Sequence, residues 1–316
     1  MLKLDRVSKV YRVGTFGGKE LHAVTDVSFD VGKGEVVSLI GESGSGKSTI
    51  GRMVLRLISA TSGSICFDGA DISKLSGQAL KEYYRRVQGV FQDPFSSYNP
   101  IFKADRIFSM IHEEFFPKVG GREWNDRVEA ALQGVGLNPA HVLNKFPHQL
   151  SGGQLQRFLI ARALLLDIRF LVADEIISML DASTRIDVLN LVADLKARGL
   201  SVLFITHDLS LGYYISERAL ILYRGRIAEM GATDRIYSHP LHPYTQMLMA
   251  SVPRLDRKWE QTEAELQGRR AENVRGCVYL DRCPLADKSL GCDREHPPLV
   301  QVEGDHAVAC FACGRG

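Results

Sequence analysis

The feature that most constrains the fold is a glycine-rich segment between a predicted strand and a predicted helix. Residues 34–40 (GEVVSLI) have the composition of a buried strand, and residues 47–58 have the apolar spacing of a helix. Between them, residues 41–49 (GESGSGKST) fit the pattern G-x-x-x-x-G-K-[ST] of a phosphate-binding loop. Such a loop points backbone N–H groups and a helix N-terminus toward phosphate oxygens. The segment therefore predicts a nucleotide-phosphate site in an α/β fold.

The loop pattern gives its side chains separate roles. Lys47 is predicted to reach the β- and γ-phosphates, and the Ser48 hydroxyl to bind Mg²⁺. A dinucleotide-binding turn fits less well, because counted from Gly44 its third glycine would fall on Thr49. The other alternative is a glycine-rich turn without a ligand. The remaining loop positions predicted to contact the nucleotide are Gly41, Ser43, Gly44, Ser45, Gly46 and Thr49.

Two carboxylates follow the buried strand predicted at residues 169–174. Asp174 ends that strand, and Glu175 comes directly after it. A carboxylate at this place can hold Mg²⁺, directly or through water, beside a phosphate loop. The second carboxylate can orient and deprotonate an attacking water. An Asp-Glu pair at a strand end is more often only solvated, but after a phosphate loop we favour the catalytic interpretation.

Three more polar segments lie at the ends of predicted helices or strands. Ser151-Gly152-Gly153-Gln154 begins the helix predicted over 152–166, where two glycines cost about 1 kcal/mol each relative to alanine. That cost indicates close approach to a ligand. Gln92 and His207 each follow a predicted strand, on the face where an open sheet binds its ligand. The alternatives are an ordinary serine N-cap and purely structural Gln and His side chains.

The order of predicted elements indicates the architecture. Strands alternate with helices, which favours a mainly parallel sheet covered by helices. Residues 103–165 contain three predicted helices, near 104–115, 123–135 and 152–166, and form an expected helical insertion. A hairpin is predicted over 218–230, turning at Arg224-Gly225. Beyond residue 239 the composition changes, and the charged segment 254–275 is typical of a solvated helix or linker.

Composition excludes several classes of protein. The 45% hydrophobic and 24% charged residues are typical of a globular chain. With 39 Lys+Arg against 37 Asp+Glu, the formal net charge is +2, which gives no electrostatic footprint for nucleic acid. No run of 18 apolar residues occurs, and the N-terminus lacks the apolar stretch of a signal peptide. We therefore expect the chain in the cytosol, not crossing a bilayer by itself.

Together these residues resemble the motifs of the ATP-binding-cassette (ABC) ATPases, over nearly all of residues 1–235. The resemblance implies a RecA-like α/β core with an antiparallel β subdomain and a helical subdomain at about 95–165. It implies ATP and Mg²⁺ as ligands, and catalysis by Lys47, Gln92, Glu175 and His207. The motif positions are Tyr11 (adenine stacking), Gln92 (Q-loop, also toward Mg²⁺), Ser151–Gln154 (signature), Asp174 (second Walker motif, Mg²⁺), Glu175 (catalytic carboxylate), Asp181 (D-loop) and His207 (H-loop).

A narrower resemblance is to the ATPases of oligopeptide/dipeptide importers. It rests on residues 89–100 (GVFQDPFSSYNP), on 239–245 (HPLHPYT) and on Ser251-Val252-Pro253. The amino-acid sequence of the Q-loop favours the F-type over the D-type subunit. Two departures leave the substrate class open: residues 176–181 read IISMLD where the family usually has PTSALD, and Tyr98 stands where leucine is common.

The resemblance also implies partners. Two cassettes close head to tail, so a second ATPase subunit, expected to be a D-type paralogue, contributes its signature to the ATP site. Two transmembrane permease subunits and an extracytoplasmic solute-binding protein complete the importer, with this chain peripheral at the cytoplasmic face of the membrane. The alternatives are an oligosaccharide or nickel importer of the same family, a soluble ATPase of DNA repair or translation, and a redox-sensing regulator.

The cysteines form a separate feature. Five of the six lie in the last 40 residues, and of these only Cys310 and Cys313 have common zinc spacing. In a reducing compartment, clustered thiols indicate metal or redox chemistry, and four thiolates suit Zn²⁺ or an iron–sulfur cluster. Free thiols are the alternative, and Cys66 is interpreted as a small core residue. The resemblance implies a C-terminal module over 236–316 holding a [4Fe–4S] cluster, with Zn²⁺ as the alternative, on Cys277, Cys283, Cys292 and Cys310.

Overall fold

Two β-sheets and ten α-helices make up the described part of the chain, which is residues 1–13, 18–251 and 275–313 of a computed structural model. The strands are β1 (Leu2–Val13), β2 (Lys19–Val31), β3 (Val36–Ile40), β4 (Ser62–Phe67), β5 (Ala70–Asp71), β6 (Val87–Val90), β7 (Phe170–Asp174), β8 (Ser201–Thr206), β9 (Arg218–Tyr223), β10 (Arg226–Ala232), β11 (Val300–Glu303) and β12 (His306–Val308). The helices are α1 (Lys47–Val54), α2 (Gly77–Arg86), α3 (Arg106–Phe115), α4 (Gly121–Gly134), α5 (Pro139–Val142), α6 (Gly152–Leu164), α7 (Ala182–Ala197), α8 (Leu209–Ile215), α9 (Thr233–Ser238) and α10 (Pro243–Ala250). Within these ranges, no helix has the length and apolar character that spanning a bilayer requires.

The larger sheet carries the site. Its eight strands run in the order β11-β12-β10-β9-β3-β8-β7-β6, and the pairs from β9 to β6 are parallel. Every residue of β3, β7 and β8 is buried, as expected for apolar strands covered on both faces. Parallel strands place their carboxyl ends at one edge. The loops after β3, β6, β7 and β8 therefore meet at that edge, which confirms the predicted parallel core.

The smaller sheet is antiparallel, in the order β2-β1-β4-β5. Its two longest strands, β1 and β2, have no clear signature in the sequence. The reason is that their register shifts three times, between Leu4 and Val7, between Val7 and Lys9, and between Lys9 and Val10. Each shift moves the following residues relative to the partner strand and interrupts the alternation of apolar and polar positions.

The helical insertion packs around aromatic side chains. The three predicted helices appear as α3, α4 and α6, and the short α5 lies between α4 and α6. Phe108 of α3 stacks on Phe158 of α6 with ring centroids 4.6 Å apart. Trp124 and Leu132 of α4 belong to the same buried cluster as these two rings. The apolar faces of the helices therefore form a core that continues into the larger sheet.

The C-terminal residues extend the larger sheet. Strand β12 pairs antiparallel with β10, and β11 pairs with β12. Cys277 and Tyr279 share a buried cluster with Tyr223 of β9 and Tyr244 of α10. The predicted hairpin appears as β9 and β10, with Arg224 and Gly225 at φ 44° and 80° in its turn. The described residues do not include the pair Val252-Pro253. They also do not include the charged segment predicted over 254–275, apart from its last residue.

Candidate active site

The phosphate loop needs glycine at two positions where another backbone comes close. Gly46 has φ 105°, and a Cβ there would lie 2.4 Å from the carbonyl oxygen of Ala23. A Cβ on Gly41 would lie 2.1 Å from the carbonyl oxygen of Leu222. Both contacts are with backbone atoms, which cannot move aside as a flexible side chain can. The loop is therefore packed closely against two strands, and α1 begins within the motif, at Lys47.

The Lys47 side chain reaches back to the first residues of the phosphate loop. Its Nζ donates hydrogen bonds to the carbonyl oxygens of Gly41, at 2.7 Å, and Glu42, at 2.9 Å. Burial of the side chain lowers the pKa of Lys47, and the nearby carboxylates of Glu175, Asp174 and Glu42 oppose that effect. A phosphate in the loop would give this buried ammonium an anionic partner, which two neutral carbonyls do not.

Side-chain oxygens from two elements meet beside Lys47. The hydroxyl of Ser48, at the start of α1, donates to Oδ1 of Asp174 at 3.0 Å. Burial raises the pKa of Asp174, and the hydrogen bond from Ser48 opposes that shift. Hydroxyl and carboxylate oxygens at a phosphate loop are the donor set that Mg²⁺ prefers, so these two residues fit the ion. Gln92 is exposed after β6, and no hydrogen bond in the described structure joins it to either residue.

Glu175 and His207 are in contact at the same edge of the sheet. Nδ1 of His207 lies 3.2 Å from Oε1 of Glu175. The backbone of Glu175 has φ 50°, an uncommon value for a non-glycine residue, and its N–H donates to the carbonyl of Ile205 at 2.9 Å. The Glu175 side chain is only 16% exposed and that of His207 56%. Unusual backbone geometry at such a place is typical of functional sites.

The signature and D-loop residues act locally as helix caps. Ser151 caps α6 through a reciprocal pair of hydrogen bonds with Gln154, at 3.2 and 2.9 Å. Asp181 caps α7 by accepting from Ser183 and Thr184, and these hydrogen bonds hold the pKa of its carboxyl well below the ordinary value. No hydrogen bond of the described residues joins Ser151, Gln154 or Asp181 to the phosphate loop. Within one chain, these residues therefore form a surface that is separate from the phosphate loop.

Helix packing, and not close approach to a ligand, explains one of the two signature glycines. A Cβ on Gly153 would lie 2.5 Å from Cγ2 of Thr184, so this glycine is required by the packing of α6 on α7. At Gly152 the nearest atom to such a Cβ is 3.9 Å away, which leaves that position open.

Tyr11 lies on β1, with Nζ of Lys9 5.2 Å from its ring centroid. Its stacking on adenine stays a prediction.

Sequence reasoning missed two contacts that the C-terminal residues make with the phosphate loop. The backbone N–H of Glu42 donates to the hydroxyl of Tyr244 at 2.9 Å. Nη1 of Arg282 donates to the Glu42 carboxylate at 3.1 and 3.3 Å. The partners are 202 and 240 residues apart in sequence, so no local pattern could have indicated either contact.

The four cysteines predicted as metal ligands line one cavity, together with His242. Burial raises the pKa of Cys277 to about 11, and the neighbouring thiols of Cys283, Cys310 and Cys292 add to the shift. Burial also raises the pKa of Cys313 to about 12, with Cys310 contributing. Among the described residues, however, no three His, Cys, Asp or Glu side chains are grouped closely enough to hold a metal ion. The predicted metal centre is therefore not supported by the arrangement of these thiols.

A phosphate loop, a Ser–Asp pair and a Glu–His pair at the carboxyl edge of one parallel sheet define a P-loop ATPase of the cassette type. The comparisons agree. A family model described as ABC transporter matches residues 24–178, and one described as oligopeptide/dipeptide transporter, C-terminal region, matches residues 228–292.

Relatives match nearly the whole chain. It is 43% identical to a putative peptide import ATP-binding protein of Brucella ovis over 92% of both chains. It is 42% identical to the oligopeptide transport ATP-binding protein AppF of Bacillus subtilis, covering 98% of this chain and 96% of that one. The solved ATP-binding cassette MJ0796, a dimer in a post-hydrolysis state bound to ADP and Pi, matches with TM-score 0.66 and 29% identity, covering 74% of this chain and 99% of that one. This chain therefore belongs to the ABC transporter ATPases, in their oligopeptide/dipeptide group.

Proposed function

We propose that this chain is the ATP-hydrolysing subunit of a peptide importer, with residues 1–235 as the ATPase domain. The observation that carries the proposal is the contact of Glu175 with His207 beside the hydrogen bond of Ser48 with Asp174. The match of the C-terminal region to oligopeptide/dipeptide transporters, and the names of the two relatives, support peptide as the transported solute.

The side chains have distinct roles in hydrolysis. Lys47 and the loop N–H groups bind the β- and γ-phosphates, and Tyr11 stacks on adenine. Glu175 accepts a proton from the attacking water, and His207 orients that carboxylate at 3.2 Å. Ser48 and Asp174, together with Gln92, would hold Mg²⁺, which would supply positive charge to the phosphates.

A second ATPase subunit completes the site. Ser151, Gly152, Gly153 and Gln154 have no hydrogen bond to the phosphate loop of their own chain, and Gly152 is open, which supports their use against the nucleotide of a partner. The dimeric state of the related cassette MJ0796 supports the same arrangement. We propose a D-type paralogue as that partner.

Permease subunits are proposed to dock on the helical insertion. Between the loop of Gln92 and α3, Ile101 is 75% exposed and Phe102 42%, and Met110 of α3 is 58% exposed. Large apolar side chains exposed together favour a protein interface. We place the chain at the cytoplasmic face of the membrane through this contact, with an extracytoplasmic solute-binding protein delivering the peptide.

Uptake by cells lacking this chain tests the substrate. We expect uptake of radiolabelled trialanine to be lost and to return when the wild-type chain is restored, because import depends on ATP hydrolysis by this subunit. Uptake of an oligosaccharide and of Ni²⁺ is measured in the same cells. If either of those falls while trialanine uptake is normal, the peptide assignment is wrong and the corresponding alternative replaces it.

For residues 236–316 we propose a metal-binding role on Cys277, Cys283, Cys292 and Cys310. Their common cavity supports it. Burial raises the pKa of Cys277 and of Cys283, and neighbouring thiols of the set add to both shifts, which indicates that the thiols are close together. The side chains would have to turn toward one another to bind. A [4Fe–4S] cluster is the proposed group, and Zn²⁺ the alternative.

Metal analysis of anaerobically purified chain tests the thiols. We expect about four iron and four sulfide per chain, and their loss in Cys283→Ser. Cys66→Ser is the matched control, because Cys66 lies in β4, outside the cavity, and should keep the metal. One zinc per chain would replace the cluster with the alternative. No metal, together with equal protease resistance of both variants, would reject the proposal.

A further inference from the structure

Glu42 places a negative charge inside the loop that binds a polyanion. It is the second residue of the phosphate loop, and its carboxylate is close enough to act on the Lys47 ammonium. Like charges a few ångströms apart repel strongly where the protein excludes water. An uncompensated carboxylate at this position would therefore weaken the binding of ATP.

Arg282 neutralises that carboxylate from the other end of the chain. Its Nη1 lies 3.1 Å from Oε1 and 3.3 Å from Oε2 of Glu42. The Arg282 side chain is 9% exposed and the Glu42 side chain 37%, so solvent screens the pair only in part. Nη2 of Arg282 contacts the sulfur of Met247 at 3.1 Å, and its guanidinium carbon lies 5.8 Å from the Tyr279 ring centroid. The guanidinium is thus fixed by α10 and by the segment around Tyr279.

Tyr244 fixes the backbone at the same residue. Its hydroxyl accepts the N–H of Glu42, and its side chain is fully buried. The ring centroid of Tyr244 lies 4.5 Å from that of Tyr223 on β9 and 5.5 Å from that of Tyr279. Three packed aromatic rings give a rigid support, so the hydroxyl has little freedom to follow movements of the loop.

We propose that Arg282 and Tyr244 are positioning residues of the ATP site. Tyr244 holds the turn of the phosphate loop at Glu42, and Arg282 cancels the Glu42 charge so that this carboxylate does not compete with the phosphates for Lys47 and the loop N–H groups. The C-terminal residues are thus a part of the nucleotide site. This inference rests on the ATP site proposed above.

The test is a titration of full-length chain with ATP by isothermal calorimetry at fixed ionic strength. Arg282→Gln should weaken ATP binding by about 3- to 10-fold, the scale of one partly shielded charge pair. Arg282→Lys keeps the charge and should retain most of the affinity. Arg294→Gln is the matched control: it is the same substitution in the same region, at a side chain that is 72% exposed, and should bind ATP as the wild type does.

Removing the Glu42 charge as well distinguishes charge compensation by Arg282 from a general effect of Arg282 on folding. In the double variant Glu42→Gln/Arg282→Gln neither charge remains, so we expect ATP affinity to recover toward the wild-type value. A double variant as weak as Arg282→Gln would overturn charge compensation, and Arg282→Gln binding as tightly as Arg294→Gln would overturn the inference altogether. Failure of the wild-type chain to bind ATP would instead overturn the proposed ATP site.

Discussion

Glu175→Gln is expected to lower the rate of ATP hydrolysis by roughly 100-fold or more, the share that a positioned general base contributes. Glutamine has the size of glutamate but cannot accept a proton from water. The backbone at φ 50° and the N–H bond to Ile205 do not depend on the carboxylate, so the strand end should keep its geometry. The rate is measured in the assembled transporter, and ATP binding is measured on the same sample.

Binding should survive this substitution, because no phosphate contact depends on Glu175. We expect the two ATPase subunits to stay closed around ATP, which size-exclusion chromatography with ATP detects as a persistent dimer. Glu113→Gln, in an exposed position of α3, serves as the control and should hydrolyse ATP normally. Turnover near the wild-type rate in Glu175→Gln would show that another group deprotonates the water.

The parts of this site that the sequence predicts are those built from neighbouring residues. Strand β3, the phosphate loop and α1 follow one another without interruption. Asp174 ends a strand of five buried residues, and Glu175 comes directly after it. Strand order then brings these segments together, since carboxyl ends of parallel strands share an edge. Local pattern was sufficient there because each function is carried by one short segment.

The parts that the sequence does not predict depend on contacts between distant segments. Arg282 meets Glu42 across 240 residues, and neither position is distinctive in its own stretch of sequence. Gly153 is explained by Thr184 of another helix, where we expected a ligand. The clustering of the cysteines and the family resemblance predicted a metal centre, yet neither could show that the four thiols line a cavity without being grouped closely enough to hold a metal ion.

The signature and D-loop residues cap helices of their own chain, an arrangement that agrees with the partner-completed site proposed above. Ser151 and Asp181 satisfy backbone N–H groups at the starts of α6 and α7, so the chain folds these segments without a nucleotide. Gly152, at the start of α6, is half-buried, and a Cβ there would have no neighbour nearer than 3.9 Å. In the proposed dimer, a preformed surface of this kind would lose little conformational entropy on contact with the partner's ATP.

Lys47→Ala is expected to weaken ATP binding by about 10-fold or more, and hydrolysis with it, because a charge-assisted phosphate contact is lost. The charged groups acting on Lys47 are Glu175, Asp174 and Glu42, all carboxylates. Without the ammonium, the loop loses its cationic side chain while the carboxylates of Glu175 and Asp174 remain nearby. The loss should therefore exceed that of a single hydrogen bond.

Stability distinguishes this role from a structural one. Burial lowers the pKa of Lys47, which means that the folded protein disfavours its charged form. Since that buried charge is removed in Lys47→Ala, thermal unfolding without nucleotide should occur near the wild-type temperature while ATP affinity falls. Lys74→Ala, at a side chain that is 81% exposed, is the control and should change neither quantity. Unchanged ATP affinity in Lys47→Ala would mean that the loop does not bind phosphate, whereas a large drop in unfolding temperature would assign Lys47 to the support of the fold.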